Sequence, residues 1–592
     1  MLLFLVACKI KNIYIFWPDI FHSFLLKAPP RAMDSGAHDY FGLYKGVSII
    51  GAYERGERIV SNSSTIVLTA DQALMTEFSG ISFFGFGHCV PYRLVPEPFL
   101  KRVLGPPLKT DDRGRARIAT YPLRKVEAAL LDAGFERNQV IVTTPNKIRR
   151  AITKNTRIVG LSVVDPLGKA PVSYTLASLL GGGDSCTKVE FLTLMKEVKV
   201  LKKKYKFKLI VGGQGVWQLS PVQEALEIDI LFFGEAEITF PQLARDIIKG
   251  EKTPPIVYGE TPSVDEIPAI ANPSRLGMVQ ITRGCPRKCQ FCSLTTQEFR
   301  SVPLEKILSE VDVNVKNGVK HIDLTSDDLL LYGAKGIWVN HEAVNKLFRA
   351  VTEYNVSVAF PHVSVATVRQ DPGLVKEISE IVGFDVNHPI FPDVGLESGS
   401  ARIIAKYMSG KPRPWTPQEW PETVLEATGI MNENHWYPCY TMIVGFPDEQ
   451  EDDIVKSTEL VGELRNMKAK AWTFPLLSIP ISGTPLEKQS YPSLDTMPKA
   501  VWELFGTSWK QSLSFSQEVR DQLLSGLTNP IYKKAANRLF DEGIKSLNEF
   551  FTQMQRDPLT SFNKGMNLDF HSINGMIALA RKLPNYILKR AK

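Results

Sequence analysis

The chain has 592 residues, 44% of them hydrophobic and 22% charged, so it is long enough for several domains that each bury a core. This composition excludes a disordered or fibrous protein. The formal net charge of +7 is modest for the length and does not indicate a nucleic-acid-binding surface.

The first 120 residues carry few patterns that indicate a role. An apolar run at residues 2–8 precedes two lysines, but a membrane-spanning helix needs about 20 apolar residues. The run also lacks the preceding basic region and the cleavage site of a signal peptide. We interpret it as a first buried strand, or as the product of an upstream start codon with Met33 as the true beginning. Residues 66–69 are predicted to form a strand, and residues 83–89 a loop of glycines and aromatics.

Residues 121–250 alternate short apolar runs with helical patterns. Strands are predicted at residues 140–143, 157–164, 208–211 and 229–233. Helices are predicted at residues 123–131, 191–203, 222–226 and 238–248. Strands separated by segments of helix length predict a parallel, doubly wound sheet, and thus an α/β domain of the Rossmann type.

Glycines follow several of these predicted strands. Ligands of such sheets bind at the carboxyl ends of the strands, where a glycine allows the backbone to approach a ligand closely, although a plain turn explains it equally well. The candidate ligand-binding residues at this edge are Leu167, Gly168, Gly212, Gly213, Gly234 and Glu235. The proline-rich segment 251–276 is predicted to be a linker.

Residues 277–490 repeat strand and helix patterns. Strands are predicted at residues 277–282, 321–324, 356–360, 393–396 and 440–444, and helices at residues 304–315 and 343–353. This alternation predicts a partial (β/α) barrel with its active site at the carboxyl ends of the strands.

From residue 491 onward the patterns are helical, and we predict a helical C-terminal domain over residues 491–592. Its last 22 residues, 571–592, contain five basic residues and no acidic ones, interleaved with apolar residues. Such a segment is able to lie on an anionic membrane surface. A packed helix with solvated lysines is the more ordinary interpretation.

Three of the seven cysteines, Cys285, Cys289 and Cys292, fall within eight positions. The small number of cysteines, without a secreted-type framework, predicts a reducing compartment, and we expect a cytoplasmic protein. Spaced by three residues and then two, the three thiolates can ligate three irons of a cubane cluster and leave the fourth open to a small molecule. A structural zinc site, the alternative, needs four ligands and usually a second close pair, which is not nearby.

The loop Gly284-Cys-Pro-Arg-Lys-Cys-Gln-Phe-Cys, with Phe291 directly before the third cysteine, resembles the cluster loop of the radical S-adenosylmethionine (SAM) superfamily. The resemblance implies a [4Fe-4S] cluster on the three cysteines, with SAM chelated by the free iron. It also implies a one-electron reductant such as ferredoxin or flavodoxin, and cleavage of SAM to a 5'-deoxyadenosyl radical.

Three later segments, at the ends of predicted strands, resemble the SAM-binding segments of that superfamily. The first lacks the usual Gly-Gly-Glu, and its polar residues also suit a helix N-cap. The resemblance implies Ser326, Asp327 and Asp328 as the residues beside the amino group of SAM. It implies Glu397 and Ser398 beside the ribose, and Ile443 and Gly445 beside the adenine.

The Rossmann-like region just upstream of the cysteines resembles the cobalamin-binding domain of many radical SAM enzymes. The resemblance implies cobalamin as a candidate cofactor, bound near the six residues given above for the carboxyl edge. The Asp-x-His-x-x-Gly stretch that supplies a histidine ligand in other cobalamin proteins is absent. Two expectations therefore stand, cobalamin without a histidine ligand or a domain that keeps the fold without the cofactor.

The architecture implies formation of a C-C bond at an unactivated carbon, and in its commonest version methylcobalamin donates a methyl group. Segments 67–71, 165–168 and 419–422 also resemble archaeal proteins of this architecture, among which are lipid-modifying enzymes such as tetraether ring synthases. Ring closure within an isoprenoid chain is therefore an alternative. A noncatalytic iron-sulfur electron carrier is an alternative from another class.

The expected partners follow from these interpretations. They are a one-electron reductant and a small-molecule, lipid or protein substrate, with no nucleic acid. Peripheral contact with a membrane is expected only if the segment 571–592 binds lipid. The sequence does not predict the oligomeric state, and it indicates no catalytic residue besides the cofactor-binding residues.

Overall fold

The computed structural model describes residues 64–78, 82–95, 97, 100–520 and 530–557. The interpretations of residues 2–8, Met33 and residues 571–592 lie outside this part of the chain. Within it, no helix combines the length and the apolar character that crossing a bilayer requires.

A parallel six-stranded sheet in the order β2-β1-β3-β4-β5-β6 forms the first domain and confirms the doubly wound α/β fold. Its strands are β1 Ile66–Ala70, β2 Val140–Val142, β3 Ile158–Ser162, β4 Lys208–Gly212, β5 Ile230–Phe233 and β6 Ile256–Tyr258. The sheet extends beyond the range 121–250. Strand β1 comes from the first 120 residues, and the short, largely exposed β6 comes from the segment 251–276, whose prolines predicted a linker.

Four helices cover the two faces of this sheet, namely α1 Tyr121–Asp132, α2 Ile148–Ala151, α4 Cys186–Tyr205 and α5 Thr239–Lys249. A further helix, α3 Pro171–Leu179, follows β3 and packs its apolar residues into the core of the barrel. Apolar residues of α4 pack on one face, and those of α1 and α5 pack on the other. Two local predictions were wrong. The helix expected at residues 222–226 is replaced by a 3-10 helix at Val216–Val222 that contains a proline, and the loop expected at 83–89 is a 3-10 helix, Ser82–Cys89.

Two three-stranded parallel sheets, β7-β10-β11 and β12-β13-β14, form the partial barrel. A parallel bridge between His362 and Asp393 joins them. The strands are β7 Met278–Gln280, β10 His321–Thr325, β11 Ser357–Ala359, β12 Asp393–Glu397, β13 Cys439–Val444 and β14 Trp472–Leu477, with the short antiparallel pair β8 Thr282–Arg283 and β9 Arg300–Ser301 beside the cysteine loop.

The outer wall of the barrel is helical, and so are residues 499–518 and 530–556 of the C-terminal region. The helices are α6 Leu304–Lys316, α7 His341–Thr352, α8 Val365–Gln370, α9 Pro372–Val382, α10 Ala401–Tyr407, α11 Trp420–Glu433, α12 Glu451–Asn466, α13 Lys499–Glu518 and α14 Pro530–Arg556. Alternate strand residues are fully buried beneath these helices. The intervening residues face the lumen and are partly accessible, namely Asp323, Thr325, Gly395, Thr441 and Ile443.

The two domains are joined by direct contacts. Helix α3 lies against β14, where the backbone N–H of Leu477 donates to Oγ1 of Thr175 at 2.8 Å and the hydroxyl of Tyr174 donates to the carbonyl of Pro492 at 2.9 Å. Arg283, at the end of β8, forms ion pairs with Glu235 and Glu237 in the loop after β5. The sheet domain therefore contacts the barrel directly before the cysteine loop begins.

Candidate active site at the mouth of the barrel

The three cysteines lie in one loop after β8, partly buried and free of disulfides. Burial raises the pKa of each of Cys285, Cys289 and Cys292 to about 11, and each thiol influences the pKa of another of the three. Within the described residues, no three His, Cys, Asp or Glu side chains converge closely enough to hold a single metal ion. Three thiols in one loop suit an iron-sulfur cluster, and binding it requires their deprotonation.

Arg287 fastens the cysteine loop to the segment 408–413 that follows α10. Its guanidinium is buried and donates to the carbonyls of Lys411 at 2.7 Å and Arg413 at 3.1 Å. On its other side it pairs with Asp328 at 3.4 Å. A Cβ at Gly410 would lie 2.1 Å from the carbonyl oxygen of Arg287, so only glycine permits this close packing. The neighbouring Lys288 is exposed.

The three residues implied for the amino group of SAM differ in whether their side chains are already engaged by other protein groups. Asp328 is buried and accepts hydrogen bonds from Oγ1 of Thr367 at 2.8 Å and the backbone N–H of Ser364 at 3.2 Å. Ser326 is buried too, and its hydroxyl lies 2.6 Å from that of Thr282. Both residues are therefore occupied by contacts within the protein.

Asp327, by contrast, keeps its side chain accessible at the end of β10. Its enclosed position raises the pKa to about 6, an effect that the neighbouring Asp328 reinforces and His362 opposes. A carboxylate that is accessible and has no cationic partner within ion-pair distance among the described residues is able to accept an ammonium group. Of the three residues, Asp327 is therefore the one whose surroundings suit the amino group of SAM.

Glu397 is held in an unusual position at the end of β12. Its φ is +64°, just after a bulge in the pairing of β12 with β13, and its side chain turns back over Gly395. A Cβ at Gly395 would lie 2.2 Å from Oε1 of Glu397, which explains why glycine is required there. The buried carboxylate pairs with Nζ of Lys411 at 2.9 Å.

Lys411 was missed by the sequence reasoning, because it lies in an irregular loop and no periodic pattern or motif pointed to it. Ser398, which the resemblance placed beside the ribose, is fully buried. Its hydroxyl lies 3.3 Å from that of Ser457 and accepts from the backbone N–H of Ser400 at 3.1 Å. It supports the turn after Glu397 and presents no free polar group.

The adenine candidates lie at the end of β13, the strand that pairs with β12. Ile443 faces the lumen and is partly accessible. Gly445 has a φ of +89°, and a Cβ there would meet Met497 at 3.0 Å, so glycine is required by packing as well as by backbone geometry. Phe291 packs against Phe446, with ring centroids 6.0 Å apart, and thereby links the cysteine loop to the end of β13.

The residues proposed for the carboxyl edge of the first sheet contact their own chain. A Cβ at Gly168 would lie 2.6 Å from Ser185, one at Gly212 3.1 Å from Phe232, one at Gly213 2.5 Å from Val163, and one at Gly234 3.0 Å from Gly259. The backbone N–H of Leu167 donates to Gln218 at 2.9 Å, and Glu235 is held by Arg283 and Arg300. All six positions therefore contribute to the packing of their own loops.

A different feature of this edge does suit a polar ligand. Oδ2 of Asp165 is buried and has no hydrogen-bond partner among the described residues, whereas the buried hydroxyl of Ser173 hydrogen-bonds the thiol of Cys89. Both residues lie between β3 and α4, where the first domain meets the barrel. Unsatisfied buried polar atoms are rare in proteins. An amide N–H, such as those of a corrin ring, is able to donate to Oδ2 of Asp165, and in this respect the edge fits cobalamin.

The lumen below the mouth is polar. Burial raises the pKa of Asp323 to about 7, against the attraction of Arg275, and it raises the pKa of Asp393, against His362. Neither carboxylate forms an ion pair with any residue that the structure describes, and Oδ1 of Asp323 has no hydrogen-bond partner there. The lumen therefore offers acceptors to a substrate that carries hydrogen-bond donors.

Comparison with known families agrees with this geometry. Residues 279–461, from β7 through most of α12, match the family model described as the Radical SAM superfamily. The matched region contains the cysteine loop and every residue that the resemblance implied for SAM.

Curated relatives match over part of their length. The ribosomal protein uS12 methylthiotransferase RimO of Pseudothermotoga lettingae is 30% identical over 219 residues, which are 36% of this chain and 47% of that protein. The tRNA-2-methylthio-N(6)-dimethylallyladenosine synthase of Leptothrix cholodnii is 25% identical, over 45% of this chain and 54% of that protein. The chain thus spans about half the length of these curated relatives.

A solved structure of similar outline is that of the radical S-adenosylmethionine methyltransferase TsrM from Kitasatospora setae, with cobalamin and a [4Fe-4S] cluster bound. The match covers 84% of this chain and 100% of that one, with 13% identity and a TM-score of 0.47.

Proposed function

Because the chain contains a radical SAM domain at residues 279–461, we propose that it cleaves SAM reductively at a [4Fe-4S] cluster and functionalises an unactivated carbon. The observation that carries this proposal is the meeting, at one barrel mouth, of the cysteine loop with the accessible Asp327 and the buried Glu397. When bound, the cluster supplies the electron that converts SAM to a 5'-deoxyadenosyl radical.

The protein residues have distinct tasks in this proposal. Cys285, Cys289 and Cys292 ligate three irons, and Asp327 accepts the amino group of SAM. Glu397 accepts hydrogen bonds from the ribose hydroxyls, since a carboxylate can pair with both groups of a vicinal diol. The apolar face that contains Ile443 takes the adenine. A one-electron reductant of the ferredoxin or flavodoxin type completes the system.

The leading reaction is C-C bond formation by methyl transfer with cobalamin as the methyl carrier. In this chain, Asp165 would accept a hydrogen bond from an amide group of the corrinoid through its unpaired buried oxygen. Asp165 lies in the loop between β3 and α3, and α3 contacts the barrel strand β14, so a corrinoid there would lie between the two domains.

The polar lumen favours a polar substrate over an isoprenoid chain. An apolar chain beside Asp323 and Asp393 would remove these carboxylates from water without offering them hydrogen-bond donors, which costs free energy. Ring closure in a membrane lipid is therefore the weaker candidate. A pure electron carrier requires neither the strained φ of Glu397 nor its enclosed carboxylate.

Production of 5'-deoxyadenosine tests the proposal. The chain, reconstituted anaerobically with iron and sulfide and supplied with SAM and dithionite, is expected to form 5'-deoxyadenosine, measured by liquid chromatography with mass detection. An electron carrier would hold a cluster and form none. That outcome would exclude the proposed function.

Glu397→Gln is expected to weaken SAM binding. The exchange removes the negative charge that attracts the ribose hydroxyls, and hydrogen bonds to charged groups contribute about 1.5–3 kcal/mol. We expect the Kd for SAM to rise roughly 10- to 100-fold, measured by equilibrium dialysis of the reconstituted chain. Glu463→Gln, on the exposed face of α12, is the matched control and should bind SAM like the natural chain.

A further inference from the structure

Lys411 lies where two parts of the candidate site meet. Its backbone carbonyl accepts the hydrogen bond from Arg287 that fastens the cysteine loop, and its Nζ lies 2.9 Å from the buried carboxylate of Glu397. The lysine side chain is itself only 13% exposed. This one residue therefore contacts both the loop that carries the cysteines and the residue proposed for the ribose.

The segment that carries Lys411 lies directly against the cysteine loop. A Cβ at Gly410 would lie 2.1 Å from the carbonyl oxygen of Arg287, and the backbone N–H of Gln290 donates to the carbonyl of Tyr407 at 2.8 Å. The ammonium and the carboxylate thus form a buried, nearly neutral pair beside the cysteine loop.

The position of Glu397 depends on this pair. With a φ of +64°, its side chain lies over Gly395, where it is 8% exposed. A buried carboxylate without a cation is strongly unfavourable, so without Lys411 the carboxylate of Glu397 would lose the contact that fixes its orientation toward the ribose site.

Charge beside a cluster alters how readily the cluster accepts an electron. Reduction adds one negative charge, which a nearby cation stabilises and a nearby carboxylate destabilises. Because the two charges of this pair oppose each other, removing either one alone leaves the opposite charge beside the cluster. The two single changes therefore have opposite effects, and removing both restores near neutrality.

We propose that Lys411 is a positioning residue that holds Glu397 over Gly395 and sets, through its charge, how readily the cluster on the three cysteines is reduced. This inference rests on the proposed function, because it requires a cluster at Cys285, Cys289 and Cys292.

The test compares Lys411→Met, Glu397→Gln and the double variant with the natural chain. Each is reconstituted anaerobically, its iron and sulfide are quantified, and its cluster is titrated with reductant while the paramagnetic signal of the reduced form is followed. We expect Lys411→Met to lower the ratio of reduced to oxidised cluster at a fixed potential about tenfold, which is 59 mV for a one-electron couple. Glu397→Gln should raise the ratio, and the double variant should return close to the natural value.

Two further variants separate charge from structure. Lys411→Arg keeps the cation and should retain a nearly natural potential, whereas a purely structural role would make Arg and Met alike. Lys376→Met, on the exposed face of α9, removes a remote lysine and should leave the potential unchanged. In a separate binding assay, Lys411→Met should also raise the Kd for SAM, since Glu397 loses its position.

The outcomes distinguish this inference from the function on which it rests. If the natural chain holds no cluster or forms no 5'-deoxyadenosine, the proposed function fails and the inference with it. If the natural chain cleaves SAM but Lys411→Met and Glu397→Gln shift the potential in the same direction, or not at all, the role of Lys411 is refuted and the function stands.

Discussion

Replacing any one of Cys285, Cys289 and Cys292 by alanine is expected to abolish 5'-deoxyadenosine formation and most of the iron and sulfide bound per chain. With three thiolates for four irons, the protein has no spare ligand, so two thiolates cannot anchor a cubane cluster in this loop. Iron and sulfide analysis, with the visible absorption of the reconstituted protein, measures the loss.

The matched control for the cysteine variants is Cys186→Ala. Cys186 is fully buried at the start of α4, outside the cysteine loop, so its replacement should leave the iron content unchanged in the folded fraction. If the three loop variants keep the iron and turnover of the natural chain, the cluster is not held where we place it.

Arg287→Ala is expected to destabilise the cysteine loop strongly. The exchange removes the hydrogen bonds to the carbonyls of Lys411 and Arg413 and leaves Asp328 buried without its cation. Breaking a buried ion pair in this way typically costs about 3–5 kcal/mol. We expect a lower midpoint in urea unfolding and less bound iron after reconstitution, because the loop loses its attachment to the segment 408–413.

Lys288→Ala provides the control for this prediction, since Lys288 is the next residue in the same loop and is exposed. It should unfold at the same urea concentration as the natural chain and bind as much iron. Arg287→Ala behaving like Lys288→Ala would mean that the contacts of Arg287 do not hold the loop.

The sequence predicted those strands that are marked by a run of apolar residues within the strand itself. The apolar runs of β3, β5, β10 and β13 were found within a few residues of their bounds, because each strand is marked by its own buried side chains. Strand β14 was missed. It contains Pro475, which argues against a strand in sequence but is tolerated here in a strand at the end of its sheet.

Pairing between distant segments was not predictable in the same way. The run at residues 66–69 was recognised as a strand, but its place between β2 and β3 depends on partners 74 and 92 residues away. The predicted bounds of the first domain, residues 121–250, therefore left out β1, although β1 lies second in the spatial order of the sheet. Nothing local in the sequence marks such long-range pairing.

In the candidate site, the sequence indicated which types of residue are present, but it did not indicate which of them are engaged by other protein groups. Asp327 and Asp328 are adjacent carboxylates and look equivalent in sequence, yet Asp328 is saturated by Thr367, Ser364 and Arg287 while Asp327 stays accessible. The difference arises from α8 and the cysteine loop, which reach Asp328 only after folding. The ion pair of Lys411 with Glu397 depends in the same way on a turn that no sequence pattern predicts.

The contact of α3 with β14 has a consequence for dissecting the protein. Thr175 supplies an acceptor to the backbone of a strand that ends its sheet, and Leu176 and Leu179 belong to the same apolar core as the barrel. A truncated chain that starts near residue 270 would leave the backbone groups of that strand edge unpaired and therefore prone to aggregation. We therefore regard the barrel as unsuited to transplantation as a free-standing module, and chimaeras should exchange both halves together.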